Sequence, residues 1–254
     1  MFPTLPTSRS ELDAVDAAHW QAVLAGDPAH AARWLTAAAR LGHAEAQAVI
    51  GQWTLDGRGV ERNAEEALHW FLLAAHNGHA MGMNMAGRCH EQGWGTAVDA
   101  GKAAHWYRLA VDKGLPEARY NLANLLSSGD GVVRNRAQAL ALYRQAAEQG
   151  YAKAYAKIGR YHEDGEGVEK DATLAYDWYR RGAEGGDFRA RFSYAGMLAA
   201  QGRRAEALHW LAKVPETATP RYLREAGTLL LESPDAEFRA IGESMLAGIT
   251  PAST

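Results

Sequence analysis

The stretch DGEGVEKDATLAYDWY, residues 164–179, sets two glycines one residue apart ahead of a short charged spacer and an alanine- and aromatic-rich segment. Glycine-rich turns that enter helices are where proteins cradle phosphates, so the stretch reads as a nucleotide loop or as a structural turn. The decision comes from its surroundings. Gly165 and Gly167 have counterparts at Gly129 and Gly131, at Gly93 and Gly95, and at Gly57 and Gly59, each pair 36 residues from the next. A catalytic phosphate loop is needed once, whereas this turn recurs along the chain. The nearest approach to a P-loop, TAVDAGKA at 96–103, has Thr96 where glycine is required and Ala103 where a hydroxyl is required. The glycines are there to turn the chain.

Other columns keep the same interval: Asp27, Asn63, Asp99, Asn135 and Asp171; Gly42, Gly78, Gly114, Gly150 and Gly186; Ala67, Ala103, Ala139 and Ala175; and Trp34, Trp70, Trp106 and Trp178, with Leu142 in the missing place. A fixed period of this length is the mark of a repeat architecture. Within one period the residue types describe two helices. The Asp/Asn column suits an N-cap, whose side-chain oxygen accepts an orphan backbone N–H of the first turn. Pro28 after Asp27 is a favoured first helical residue. The Gly42 column suits helix ends, where a left-handed residue carries least penalty. After Asp171, the residues Leu174, Trp178 and Ala183 fall near one helical face. In the other half-period, AEAQAVIGQWTLDG (44–57), Ile50, Trp53 and Thr54 face the partner helix, and Gly51, Gly87 and Gly159 allow close approach. Each 36 residues is therefore one helix–turn–helix hairpin, and the fold class expected is all-α.

The totals narrow the function. The chain has 254 residues, 47% of them hydrophobic, and a formal net charge of −3. That balance excludes the strongly basic face of a nucleic-acid binder and offers no polybasic patch for an anionic membrane. No run of 18 apolar residues exists, and the N-terminal MFPTLPTSRSELDAVDAAHW lacks the basic and apolar regions of a signal peptide. A cytoplasmic protein without a membrane partner is expected. The single cysteine, Cys89, excludes an internal disulfide framework.

Ten histidines invite a metal reading, and the densest cluster is His76, His79, Cys89 and His90. Its spacing matches no standard zinc site, and its members fall in repeat columns: His79 with His43 and Tyr151, His90 with His162. Cys89 shares a column with Trp53, Leu125, Tyr161 and Met197, all bulky, which points to an interior thiol rather than a nucleophile. No G-x-S-x-G or S-x-x-K occurs. No metal, cofactor or catalytic residue is assigned.

The segment AKAYAKIGRYHEDGEGVEKDATLAYDWYRRGAEGG, 152–186, resembles the Sel-like repeat family, a relative of the tetratricopeptide repeats. Ile158–Gly159, Gly165-x-Gly167-Val168, Asp171, Ala175, Trp178–Tyr179 and Ala183 carry the resemblance. The family's tyrosine column is Thr54, His90, Leu126 and His162 here. On this reading residues 8–214 form about six repeats, the first and last atypical, and 215–250 add capping helices near 221–231 and 234–247. In the first repeat, Ser8 and Glu11 suit a capping box, and the first helix extends to about Leu24.

The resemblance implies a right-handed α-α superhelix whose concave groove is lined by the first helices, acting as a non-catalytic scaffold or adaptor for another protein or an extended peptide. By analogy with tetratricopeptide repeats, two columns point into the groove: Ala48, Asn84, Tyr120, Ala156 and Phe192, and Gln52, Arg88, Asn124, Arg160 and Gly196. Gln52, Asn84, Arg88, Tyr120, Asn124 and Arg160 then form a polar strip, with asparagines to pair with peptide backbone and arginines to fork onto carboxylates; the alternative is a solvated helix face. Trp94 stands inside a Gly-x-Gly turn where other copies have Arg58, Asp130 and Glu166. It is either an exposed interface residue or a ring folded back on the adjacent repeat. A regulatory subunit acting through the convex face or C-terminal helices is a second functional reading, and a hydrolase or metalloenzyme on a solenoid a remote third.

Overall fold

The computed structural model describes residues 4–249, and among them every regular element is helical. In chain order the α-helices are α1 (Arg9–Asp13), α2 (Ala17–Ala25), α3 (Pro28–Arg40), α4 (Ala44–Asp56), α5 (Ala64–His76), α6 (Ala80–Gln92), α7 (Ala100–Asp112), α8 (Pro116–Ser128), α9 (Arg136–Glu148), α10 (Lys153–Asp164), α11 (Ala172–Glu184), α12 (Phe188–Ala200), α13 (Arg204–Ala212), α14 (Pro220–Leu231) and α15 (Ala236–Ala247), with a 3₁₀ turn at Val214–Glu216. They fall into two compact units, one ending at Asn135 and one beginning at Arg136. The expected C-terminal limit at residue 250 lies outside the described residues.

The helix ends obey the columns. Asp27, Asn63, Asp99 and Asp171 each accept a backbone N–H from the first turn of the helix that follows. Gly57, Gly93, Gly129 and Gly165 stop α4, α6, α8 and α10 in the left-handed region. The second glycine of each turn has a different task. A Cβ at Gly59 would sit 2.2 Å from the Pro28 carbonyl oxygen, and one at Gly95 2.2 Å from that of Ala64. At these two positions the turn lies flat against the start of a helix in the preceding repeat, and only glycine fits. That contact clasps one hairpin to the next.

Where helices cross, small residues meet large rings. A Cβ at Gly87 would lie 2.6 Å from the Tyr107 ring, and one at Gly159 2.6 Å from that of Tyr179. The deepest column of large side chains is Leu35, Phe71, Tyr107, Tyr143 and Tyr179, none more than 2% exposed. Burial of each such side chain stabilises by about 1.5–3 kcal/mol. The tryptophan column beside it is shallower: Trp34 is fully buried, but Trp106 and Trp178 are half-exposed. Tyr107 and Tyr179 keep their hydroxyls satisfied on Glu91 (2.5 Å) and Glu163 (2.6 Å). Leu174 departs from the expected inward face. It is 42% exposed, and α11 buries Ala175, Tyr179, Gly182 and Ala183 instead.

The two ends differ from the repeats between them. The expected long first helix is broken: α1 stops at Asp13, and Asp16 caps a new helix by accepting from the His19 N–H. The capping box is also modified. Ser8 accepts from Glu11 N–H, but the Glu11 carboxylate turns outward to the Thr7 N–H and hydroxyl. At the other end α14 and α15 cross tightly, with Gly227 and Gly242 at the contact. Arg191, almost wholly buried, ties α12 to the 3₁₀ turn through the Lys213 carbonyl and Glu216.

Candidate partner-binding surface

In the first unit the first helix of each hairpin is α4, α6 or α8, and α2 precedes them. Their shared face holds two clefts. One, of 260 Å³, is lined by Trp20, Leu24, Leu35, His43, Ala46 and Val49, with Glu45 at its edge. The second, of 470 Å³, is lined chiefly by Ala48, Val49, Trp53, Met81 and Met85, with Gln52, Glu45 and His79 around it. Glu45 and Val49 belong to both, so the clefts run together. The lining is apolar, and the methionines give it a surface that can adapt to its occupant.

Two histidines frame these clefts for a reason local to the chain. His43 and His79 are the N-caps of α4 and α6: Nδ1 of each accepts a backbone N–H, from Ala46 at 3.2 Å and Gly82 at 3.1 Å. An accepting Nδ1 leaves the hydrogen on Nε2, and His79 Nε2 meets Glu45 at 2.8 Å. Burial, then the Arg9 charge, lowers the His43 pKa from its usual value. The histidine column that suggested a metal is thus a capping column. His76 is held by the Leu72 carbonyl at 2.6 Å, and among the described residues no three His, Cys, Asp or Glu side chains gather as a metal site. Cys89 is fully buried, and burial pushes its thiol up to about 11, far from a reactive thiolate.

The polar strip expected on this face is only partly presented. Gln52 is half-buried at the larger cleft, donating to Asp56 at 2.8 Å. Asn84 departs from the expectation: it is 3% exposed, and its amide oxygen accepts from Asn121 at 2.9 Å, so it joins α6 to α8 rather than facing a ligand. Arg88 lies 4.9 Å above the Trp94 ring and beside the Met85 sulfur. Trp94 is half-buried, packed back against the cluster of Leu55, Leu68, Phe71 and Met85. Of the two placements open to it, the folded-back one holds. Tyr120 and Asn124 are half-buried on α8. Arg160, on α10 of the second unit, is exposed and pairs with Asp164 at 3.1 Å. The apolar residues of the clefts were missed in sequence because the reading followed polar columns, although Val49 and Met85 stand one repeat apart.

The hairpins and glycine clasps define a helical-repeat protein of the solenoid class. The chain belongs to the Sel1 repeat family, whose pattern matches at residues 21–43, 44–79, 80–115, 116–151 and 152–187. A Sel1 repeat protein from Oxalobacter formigenes has a similar structure, with a TM-score of 0.77 at 25% identity, covering 91% of this chain and 98% of that one. The protective antigen c5321 of uropathogenic Escherichia coli aligns with a TM-score of 0.67 at 25% identity, over 91% of this chain but 54% of its own longer length. The immunity protein Pa5087 from Pseudomonas aeruginosa shares the fold alone, at 17% identity, a TM-score of 0.57 and 81% coverage of each chain. No curated protein matches the sequence. Sel1 repeat folds serve in general as protein–protein interaction scaffolds and are typically non-catalytic. Among the described residues no helix is long and apolar enough to cross a membrane.

Proposed function

We propose that this chain is a non-catalytic adaptor that binds a partner protein along the face of its first helices, with the joined clefts of the first unit as the main anchor. The observation that carries the reading is the continuous apolar lining from Trp20 and Leu24 through Val49 and Trp53 to Met81 and Met85. Leu24 is 37% exposed, and an apolar surface left open beside a concavity is the usual mark of an interaction site. Gln52 and Arg88 stand where they can pair with the partner's backbone and acidic groups, while Asn84 and Trp94 act by holding α6 in shape.

The test is site-directed photocrosslinking in native lysate. A photoreactive residue at Gln52 reports the cleft, and one at His69, exposed on α5, reports the outer helices. The adaptor reading expects a discrete partner from position 52 that disappears on Val49→Asp. Capture from position 69 alone favours a regulatory subunit docked through its outer face and overturns the cleft assignment.

A further inference from the structure

One inward column changes sign along the chain. At 36-residue steps it reads Glu45, Met81 and Glu117 in the first unit, then Lys153 and Arg189 in the second. The neighbouring column reads Val49, Met85, Asn121, Lys157 and Ser193. In the second unit α10 and α12 pack side by side. Their shared face therefore gathers Lys153, Lys157 and Arg160 from α10 with Arg189 from α12.

Arg160 pairs with Asp164, but Lys157 and Arg189 are not neutralised in the way others are. Arg136, Arg180, Arg191, Arg203, Arg204 and Arg221 all have carboxylate partners. The Lys157 ammonium and the Arg189 guanidinium have no hydrogen bond or ion pair with any described residue. The nearby carboxylates make no ion pair with either group, although the Asp187 charge is felt by Arg189 and Lys153. Asp164 pairs with Arg160, Asp187 is buried as the N-cap of α12, and Glu225 pairs with Arg221. Lys157 is half-buried, and burial, then the Arg189 and Arg160 charges, lowers its pKa. A half-desolvated cation beside two others is unfavourable by itself. An arriving anion would relieve it.

Arg189 is also held ready. Its guanidinium carbon lies 4.4 Å from the centroid of the Phe188 ring and 5.5 Å from that of Tyr222, and those rings meet edge to face at 4.7 Å. A stacked guanidinium keeps its donor fork free in the ring plane, the geometry that takes a carboxylate through two hydrogen bonds. Phe192, packed near Tyr222, adds apolar surface beside the charges.

We propose that Lys157 and Arg189, flanked by Lys153 and Arg160, form a carboxylate-binding site that takes an acidic segment of a partner protein. A polypeptide fits better than a nucleic acid. The chain's net charge is −3, and Asp164 and Asp187 lie beside the patch, with Glu225 near Tyr222. A phosphate backbone would require a longer uninterrupted basic track. The inference shares with the adaptor reading the idea that first helices bind, but it concerns the other unit and does not use the apolar clefts.

The probe is a dye-labelled peptide of alternating Leu-Glu-Glu units, followed by fluorescence anisotropy on the full chain, with a Gln-for-Glu peptide and a single-stranded oligonucleotide as comparisons. Binding of the Glu peptide at least about tenfold tighter than the Gln peptide is expected, since one charge-assisted pair contributes on that order. The preference should weaken as salt rises. Lys157→Met with Arg189→Gln should abolish it without lowering Tm, and Lys157→Met alone should raise Tm slightly by removing the repulsion. No measurable binding of the Glu peptide, equal binding of both peptides, an unaffected double variant, or tighter capture of the oligonucleotide each overturns the proposal. Crosslinking from Gln52 in the double variant keeps the two readings apart. Retained capture there, with peptide binding absent from the wild type, removes the carboxylate site and leaves the adaptor reading standing.

Discussion

The two units repeat one packing grammar and display opposite chemistry on the same inward columns. In the first, the layer of first helices offers apolar clefts edged by Glu45; in the second, it offers Lys153, Lys157 and Arg189 beside aromatic rings. The buried positions hardly differ: Tyr107 against Gly87 in one unit is Tyr179 against Gly159 in the other. Packing positions are constrained by neighbours on both sides, so the repeat holds them fixed. Inward positions are less enclosed by neighbouring hairpins, although Asn84 and Glu45 do bond across to one, and most are left free to take on charge or grease according to what must be bound.

The clasp between hairpins is where the units differ most in mechanical terms. A Cβ at Gly95 would lie 2.2 Å from the Ala64 carbonyl oxygen and 2.7 Å from the Glu65 Cα, all backbone that cannot step aside. At Gly167 the nearest atom is the Arg136 Cβ, at 3.0 Å. Both glycines have positive φ, 69° and 74°, and an alanine there costs about 1–2 kcal/mol from the backbone alone. Gly95→Ala is expected to lose about 3 kcal/mol or more, because the clash adds to that cost, and Gly167→Ala only the backbone share. Denaturant melts of the two variants measure the difference. Equal losses would mean that the clasp is no tighter in the first unit.

The glycine and Asp/Asn columns were legible because each answers a local backbone demand that few residue types can meet. Trp34, Trp70, Trp106 and Trp178 are the most conspicuous aromatic column in the sequence, yet the deepest column of large side chains is the next residue along, Leu35 to Tyr179. Periodicity gives the stripe of a helix that faces inward, but a stripe is wide, and a tryptophan at its edge remains partly in water. Asn84 shows the limit for the site. A polar residue on the inward stripe can face a ligand or bridge to its own neighbour, and only the proximity of Asn121 decides that it bridges. The break at Asp16 carried a readable signal, an N-cap residue ahead of an alanine run, obscured by the expectation of one long helix. The charge reversal from Glu45 to Arg189 is plain in the sequence once the inward column is known, and the column is known only from how α10 packs on α12.

The caps test whether the units are equally well terminated. Asn63 accepts one N–H, from Glu66 at 3.0 Å, whereas Asp171 accepts two, from Thr173 and Leu174, both at 2.9 Å. Asp171 also brings a negative charge to the positive end of α11. Asn63→Ala is expected to cost about 1 kcal/mol and Asp171→Ala somewhat more. Amide hydrogen exchange in the first turns of α5 and α11 reads both effects locally. Faster exchange in α5 than in α11 across the two variants would reverse the ranking.

The smallest expected effect separates the units by acid. His90 and His162 occupy the same column, 8% and 4% exposed, each with Nδ1 buried and unpartnered. Burial is the main cause that lowers both pKa values, followed by Lys102 for His90 and by Arg144 for His162, while Asp99 and Asp171 pull the other way. The cation is closer in the second unit, where Arg144 Nη2 stands 3.3 Å from His162 Nε2 and leaves that nitrogen to accept rather than hold a proton. As pH falls below the ordinary histidine value of about 6.5, the unfolded chain takes up protons that the folded chain refuses. Stability therefore falls on acidification until the lowered folded values are reached, and it is fully present above pH 7. Leu126 already fills this column, so His90→Leu and His162→Leu preserve the packing and remove the titration. Each variant should narrow the Tm gap between pH 7 and pH 5, and His162→Leu should narrow it more. A gap unchanged in both would place the acid response elsewhere, and a larger change from His90→Leu would assign the stiffer barrier to the first unit.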